Sequence, residues 1–356
     1  MNSKERILAA ATGKIPDVLP VAPYMANHCT VLVGETLKNA YTSGKRLADA
    51  QIKAWEIYGQ DVVVAQSDNY YMAEAFGCRI IHHDREAPTL EKPVIKEMKD
   101  VAKLKKPDPL KDGRMQVYLE AIKRMYEKLG NEVAIRGCGT GPFVMAGHLM
   151  GNEALLLEMG NIFYGLSPYE NAMLDLLEIA CETLIDFVRY QIVAGATIVQ
   201  CADSTASMDM ISPQMYEKYI LPCEQKFFME IDPLCKKYGA VKLLHICGDN
   251  TKAFHLYPET GADIVAVDHK ADLAVAKRVM GERVCLIGNL DPSGHLLLGS
   301  AQKVETAVRS CIEKAASGGR YILGSGCEVP VNTPPENIKT MIRLAREYIY
   351  ENRSVE

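Results

Sequence analysis

The stretch VKLLHICG (241–248) begins as an apolar run and ends on a histidine, a cysteine and a glycine. Its first half, Val241-Lys242-Leu243-Leu244, is continuous rather than alternating, which suits a parallel strand covered on both faces. Seven further stretches read the same way: 18–24 (VLPVAPY), 61–66 (DVVVAQ), 132–138 (EVAIRGC), 196–203 (ATIVQCAD), 263–269 (DIVAVDH), 284–290 (VCLIGNL) and 320–327 (RYILGSGC). Helix-period stretches lie between them at 44–58, 115–129, 168–194, 213–238, 271–280, 301–317 and 335–351. Ser167-Pro168, Ser212-Pro213 and Thr333-Pro334-Pro335 each place a capping residue before proline, a helix start signal. Strands alternating with helices in this number predict an α/β fold, a (β/α)8 TIM barrel forming one domain over 1–356. A doubly wound open sheet is the alternative. The segment 67–114 is charged and holds Pro88, Pro93, Pro107 and Pro109, so it reads as an excursion covering part of the barrel. There is no internal repeat, and the tail at 352–356 is expected to fray.

Composition bounds the function. The chain has 356 residues, 48% hydrophobic and 24% charged, as in ordinary globular proteins. A net charge of −5 argues against general affinity for nucleic acid or anionic membrane. No apolar run reaches the roughly 18 residues of a membrane span. Residues 1–8 (MNSKERIL) read as an amphipathic helix start without a signal-peptide core, and a cytoplasmic location is expected. The eleven cysteines are then expected to be reduced. Most read as small apolar fillers: Cys181 and Cys311 in helical patterns, Cys285 in a strand. Cys247 and Cys327 differ, because each sits beside a glycine at a strand exit.

Catalytic groups of a barrel project from the C-terminal ends of its strands. His245 and Cys247 are two apart and share a face, while Cys327 ends another strand. One imidazole and two thiols make a donor set that suits Zn²⁺, and three protein ligands leave a tetrahedral zinc one open position. The His-x-Cys pair alone equally fits a hydrogen-bonded rim histidine beside a filler cysteine. Cys327 in a matching position adds the third donor. Asp209, Glu224 and His245 form a competing set, weakened because Glu224 falls in the helical stretch that starts at Pro213. Glu224 or Asp203 as a fourth protein ligand would instead close a structural zinc site.

Two polar residues at strand exits are the catalytic candidates. Asp203 is expected to contact substrate or orient the ligand histidine, with a helix or turn cap as the alternative. Asn289 points to the same rim. Gly139-Thr140-Gly141-Pro142-Phe143 permits close backbone approach but lacks a Walker lysine and the full dinucleotide pattern, so no nucleotide site is expected. Of the other histidines only His269, which ends a strand, is a further candidate.

Five segments carry a resemblance: GPFVMAGHL (141–149), DMISPQMYEKYILP (209–222), LLHICGDN (243–250), IGNLDP (287–292) and, most specific, GSGCEVPVNTPPENIKTMI (324–342). The chain resembles the uroporphyrinogen decarboxylase superfamily over nearly its whole length. It departs from the decarboxylase itself, which has an Arg-Gln-Ala-Gly-Arg segment after its first strand and ends its last strand in Gly-His-Gly. Here residues 23–29 (PYMANHC) hold no arginine, and the last strand ends in Gly326-Cys327-Glu328. Without those arginines an octacarboxylate porphyrinogen is poorly matched.

The branch it is similar to is the corrinoid-dependent methyltransferases of the methylcobamide:coenzyme M type. The resemblance implies zinc bound by a His-x-Cys pair and a distant cysteine, matched here by His245, Cys247 and Cys327. It also implies methylcobalamin or a related corrinoid as co-substrate and a small thiol such as coenzyme M as acceptor. No Asp-x-His-x-x-Gly cobalamin-ligand segment is present, so the corrinoid is expected to arrive on a partner corrinoid protein. A free thiol, with pKa about 8.5, is mostly protonated at neutral pH, and metal coordination removes that proton. The open zinc position is therefore expected to take a substrate sulfur. The alternatives are the opposite direction, loading Co(I) from a small methyl donor, and uroporphyrinogen decarboxylation. A non-catalytic module with a closed zinc site and a zinc hydrolase using Asp203 as base are further rivals.

Overall fold

The structure, a computed structural model, describes residues 1–350. Its strands are β1 (Val62–Val64), β2 (Arg79–Ile81), β3 (Thr89–Lys92), β4 (Ala134–Arg136), β5 (Ile198–Ala202), β6 (Val241–His245), β7 (Ile264–Ala266), β8 (Cys285–Leu290) and β9 (Tyr321–Ser325). Seven of them form one sheet in the order β1-β4-β5-β6-β7-β8-β9. All its pairings are parallel, with helices in the connections. The sheet curls, and both faces are dry. Alternate residues Val62, Ala134, Ile198, Val241, Ile264, Cys285 and Ile322 make an inner cluster with Ile7, Ala10 and Ala11 of helix Ser3–Ala11. The intervening residues Val63, Ile135, Val199, Leu244, Val265 and Leu286 belong to the outer core with the helices. Two-sided burial is why these strands read as unbroken apolar runs, each Val, Leu or Ile being worth about 1.5–3 kcal/mol when fully buried.

The expected eighth strand at 18–24 is not formed as a strand. Ala22 N–H donates to Leu323 O at 2.8 Å, Leu323 N–H to Pro20 O at 2.9 Å, and Asp61 N–H to Val21 O at 2.9 Å. The segment thus touches both edges of the sheet, but its pairing with the sheet shrinks to one parallel bridge, Val21 with Leu323, while Val18 bridges Ile349. Pro20 and Pro23 have no N–H to give a ladder. The other seven expected strands are present and shorter, most of them because their last residues leave the ladder for the loops that follow.

Helices Gly44–Tyr58 and Met115–Leu129 have the expected bounds. The expected helix at 213–238 is broken into Pro213–Met215, a π-helical stretch Tyr216–Ile220, and Leu221–Tyr238. Pro222 cannot donate to the carbonyl one turn earlier, which fits the break. Ser212 caps as expected, accepting from Met215 N–H at 3.2 Å. Ser167 does not: its hydroxyl bonds Glu158, and the helix starts at Glu170. Helix Pro142–Met150 was not legible, because all but its last residue are buried and it has no polar face to mark a period. The 67–114 excursion is more ordered than its composition implies, with helix Tyr71–Ala75, the antiparallel β2–β3 hairpin and a 3-10 turn Met98–Lys103. Among the described residues no helix is long and apolar enough to cross a membrane. The last expected helix, 335–351, starts as expected at Pro335 but ends at Glu347, where Tyr348 turns extended and Ile349 bridges Val18; the expected frayed tail at 352–356 lies outside the described residues.

Candidate metal and thiol site

β6 ends on His245, the loop after it carries Cys247, and the exit of β9 carries Cys327. Cys247 Sγ is 3.3 Å from His245 Nε2 and 3.6 Å from Cys327 Sγ. One donor atom from each residue lies within 4.8 Å of the other two. His245 is buried, and its Nδ1 has no hydrogen-bond partner. A buried polar atom left so costs about 1–3 kcal/mol. An imidazole committed to no backbone or carboxylate partner, facing two thiols, is what a metal ligand set looks like before its ion is counted. The N/S₂ chemistry fits zinc.

The loop that holds Cys247 is pinned at several points. Gly248 has φ +94°, and a Cβ there would meet Ser207 Oγ at 2.3 Å, so only glycine fits without displacement. Gly248 N–H donates to Asp268 Oδ2 at 2.9 Å. Asn250 Nδ2 donates to the carbonyls of Ile246 and Cys247 at 3.0 and 3.1 Å. Ser204 Oγ stands 3.3 Å from Cys247 Sγ. The Cys327 thiol hydrogen-bonds to Cys247 and holds its pKa below the ordinary thiol value, against the opposing effect of burial. The same bond, with burial, pushes the Cys327 thiol up.

The three donors line a cavity of about 250 Å³. Its walls come from Tyr24 and Asn27, from residues 66–70, from Ala87, Pro88 and His148, and from Ala202, Ser204 and Glu328. Asn27 N–H donates to Glu328 Oε1 at 2.9 Å, and Asn27 Nδ2 to Ser67 O at 3.0 Å. Below the cavity lies a buried polar chain. Arg136 Nε donates to Gln200 Oε1 at 2.7 Å, and Gln200 Nε2 to Gln66 Oε1 at 2.8 Å. Tyr24 OH donates to the same Gln66 oxygen at 2.7 Å. The Arg136 guanidinium lies 4.2 Å from the Tyr24 ring centroid, and Tyr24 meets His245 edge-on at 6.0 Å. The cation contributes to lowering the Cys247 pKa.

The family model for uroporphyrinogen decarboxylase (URO-D) matches residues 2–348. The chain belongs to the URO-D family. Within this family it sits on the methyltransferase branch, as its sequence implied. It is 30% identical to the methylcobamide:CoM methyltransferase MtbA of Methanosarcina acetivorans, with 98% of each chain covered. A solved methyltransferase from Methanosarcina mazei superposes with a TM-score of 0.85 at 28% identity, again covering 98% of both chains. The uroporphyrinogen decarboxylase of Microcystis aeruginosa is 24% identical, with 97% of each chain covered.

The URO-D-family chain brings His245, Cys247 and Cys327 together, but not the residues expected to work beside them. Asp203 is wholly buried and does not line the cavity. Its carboxylate accepts from Phe143 N–H at 3.2 Å and Val144 N–H at 2.7 Å, capping helix Pro142–Met150. The cap reading is the one the geometry follows. Asn289 also faces away: its Nδ2 donates to Asp268 O and Ala271 O at 3.1 and 2.9 Å, tying down the loop after β7. The competing set does not converge. Glu224 is buried with Asp203 and Cys201, and Asp209 pairs with Lys270 at 3.2 Å. His269 binds Asp268 at 3.0 Å and lines a different cavity. The sequence reasoning missed Arg136, Asn27, Ser67 and His148. Only Arg136 had a signal, a lone charge inside an apolar strand.

Proposed function

We propose that this URO-D-family chain is a zinc-dependent methyltransferase that moves a methyl group from a methylcobamide to a small thiol, with His245, Cys247 and Cys327 holding the metal. The observation that carries this reading is the convergence of one imidazole and two thiols, from two points of the chain eighty residues apart, on one cavity. Zinc held by these three residues would lower the pKa of a substrate thiol brought to this position. The chain's own residues prepare that position. Ser204 and the buried Arg136 charge stabilise negative charge on Cys247. Gly248, Asp268 and Asn250 fix the loop, and Ala87 and Pro88 of the 67–114 excursion line the cavity. The substrate thiol loses its proton, its sulfur lone pair forms the new S–CH₃ bond, and the Co–C bond breaks with both electrons left on cobalt. The products are a methyl thioether and Co(I).

The same reading takes residues 20–22 as the closing eighth element of a (β/α)8 barrel, 1–356 as one domain with 67–114 as its cover, and the corrinoid as delivered by a partner corrinoid protein. A cytoplasmic location accompanies it, as do the cysteines, all free of disulfides. Asp203 and Asn289 act as positioning residues for the rim loops rather than as substrate contacts. Porphyrinogen decarboxylation is disfavoured because, among the described residues, the cavity wall carries no arginine or lysine for the substrate's carboxylates.

Methylcobalamin demethylation, followed by its absorbance change with and without added thiols, tests the reading. Thiol-dependent loss of methylcobalamin is the expected result. An unchanged corrinoid spectrum with every thiol, together with decarboxylation of a porphyrinogen, contradicts it.

A further inference from the structure

Arg136 is a buried charge in need of a counter-ion. It ends β4, is 4% exposed, and shares the inner face of the sheet with Ala134. Its Nε donates to Gln200 Oε1, its Nη2 has no hydrogen-bond partner, and among the described residues it forms no ion pair. The ring of Tyr24 lies 4.2 Å from the guanidinium, and the same ring stands 6.0 Å from the imidazole of His245. The titratable groups that face it are Tyr24, Cys327, Cys247 and Glu328. Burial raises the Tyr24 phenol and the Glu328 carboxyl, which favours their neutral forms. Asp68, the other carboxyl on the cavity wall, is taken up by Arg114. An isolated buried cation is strongly unfavourable. The two cysteine thiolates do not compensate it once they hold zinc, because together they balance the charge of Zn²⁺. A third thiolate, from the acceptor, leaves the site with one net negative charge beside Arg136.

We propose, building on the methyl-transfer reading, that Arg136 is the counter-charge of the substrate thiolate: its field offsets the negative charge that the sulfur brings and holds more of the bound acceptor ionised at neutral pH. Its effect on Cys247 belongs to the metal-free chain, whereas this one falls on the reacting sulfur itself. Arg136 acts without touching the substrate, and its charge leaves a signature that a packing role lacks. A thiolate that is easier to form is also less reactive, nucleophilicity falling by about 0.4–0.5 log unit per unit of pKa. Removing the charge therefore weakens thiolate binding but makes each bound thiolate a better nucleophile.

The full chain loaded with Co²⁺ in place of zinc tests this with 2-mercaptoethanol, whose uncharged head leaves the sulfur as the ligand's only anion. The thiolate-to-Co²⁺ absorption that the thiol adds, titrated against pH, reads the ionisation of the bound thiol. Arg136→Gln, which keeps an amide donor, should move that titration up by about one pH unit, and Arg136→Lys, which keeps the charge, should restore most of it. With zinc and methylcobalamin at about pH 9, Arg136→Gln should raise kcat about threefold while lowering kcat/KM about threefold. An unchanged titration in Arg136→Gln, or an equal shift in Arg136→Lys, overturns the proposal and leaves the methyltransferase reading intact. A fall in kcat and kcat/KM together, or loss of metal from Arg136→Gln, marks a structural role and overturns it as well. A wild-type chain with neither thiolate absorption nor thiol-dependent turnover overturns the methyltransferase reading, and the proposal with it.

Discussion

The sulfur of Cys247 lies 3.6 Å from the sulfur of Cys327, eighty residues further along the chain. Their strands, β6 and β9, are not neighbours: β7 and β8 stand between them. In a flat sheet that separation is about 14 Å at roughly 4.8 Å per strand. The contact exists because the sheet curls and both strand exits turn inward. The donor set is therefore a product of the fold's curvature, and its integrity can be tested one residue at a time.

Cys247→Ala and Cys327→Ala should each lower zinc affinity by more than about 100-fold, beyond what loss of an outer hydrogen-bonding partner costs. Competition with a chromophoric chelator reads this. Each variant should keep the wild-type circular dichroism, because both positions lie at loop ends and not in the core clusters.

Gly248→Ala tests the loop without touching a donor. The positive φ of +94° and the 2.3 Å approach to Ser207 Oγ require the chain to shift beside Cys247. Zinc affinity should fall by roughly 10- to 100-fold, while thermal stability changes much less than for a core substitution.

Arg136→Met removes the buried cation beneath the site. Without it the Cys247 thiol pKa of the metal-free protein should rise, as read by thiolate absorbance during pH titration. The change also leaves Gln200 Oε1 without its donor, at a cost of about 1–3 kcal/mol in urea unfolding.

Asp203 gives a pH signature unrelated to zinc. Burial raises its carboxyl to about 7, against a lowering by the Val144 and Phe143 amides. The folded state thus holds the proton more tightly than the unfolded chain, where the pKa is about 3.9. The resulting stability is fully present below about pH 4 and is lost as pH rises through 7. Glu224, raised by burial and by Asp203, acts in the same sense. Urea unfolding between pH 5 and 8 should show stability falling with pH in the wild type and a flatter profile in Asp203→Asn.

Arg114→Met should strip the charge partner from Asp68, whose side chain is 1% exposed. Breaking a buried pair on one side costs about 3–5 kcal/mol, so the urea midpoint should drop sharply. Asp68→Asn in the Arg114→Met background should recover part of it.

Much of this was legible in the sequence, and the gaps have physical causes. The seven strands announced themselves because two-sided burial forces unbroken apolar runs such as VVV at 62–64. The 18–24 run carried the same apolar signal, but its prolines at 20 and 23 left it few ladder donors, a cost that an apolar pattern does not display. His245, Cys247 and Cys327 were visible as an imidazole and two thiols at strand exits, although a strand exit beside glycine does not by itself mark a ligand: Cys138, between Gly137 and Gly139, is a buried core residue. Asp203 and Asn289 sat at equally good exits, yet their side chains turn to backbone groups of neighbouring loops. Which way a rim side chain turns depends on partners far away in sequence. The same holds for Asn27 and Ser67, which meet across forty positions.

Zinc content is the most direct measure of the central claim. Protein purified without chelator and analysed by elemental mass spectrometry should carry one zinc per chain, falling to background in Cys247→Ala. A wild-type preparation that holds no zinc, and takes up none when it is supplied, would contradict the assignment of His245, Cys247 and Cys327 as a metal site and the thiol chemistry built on it.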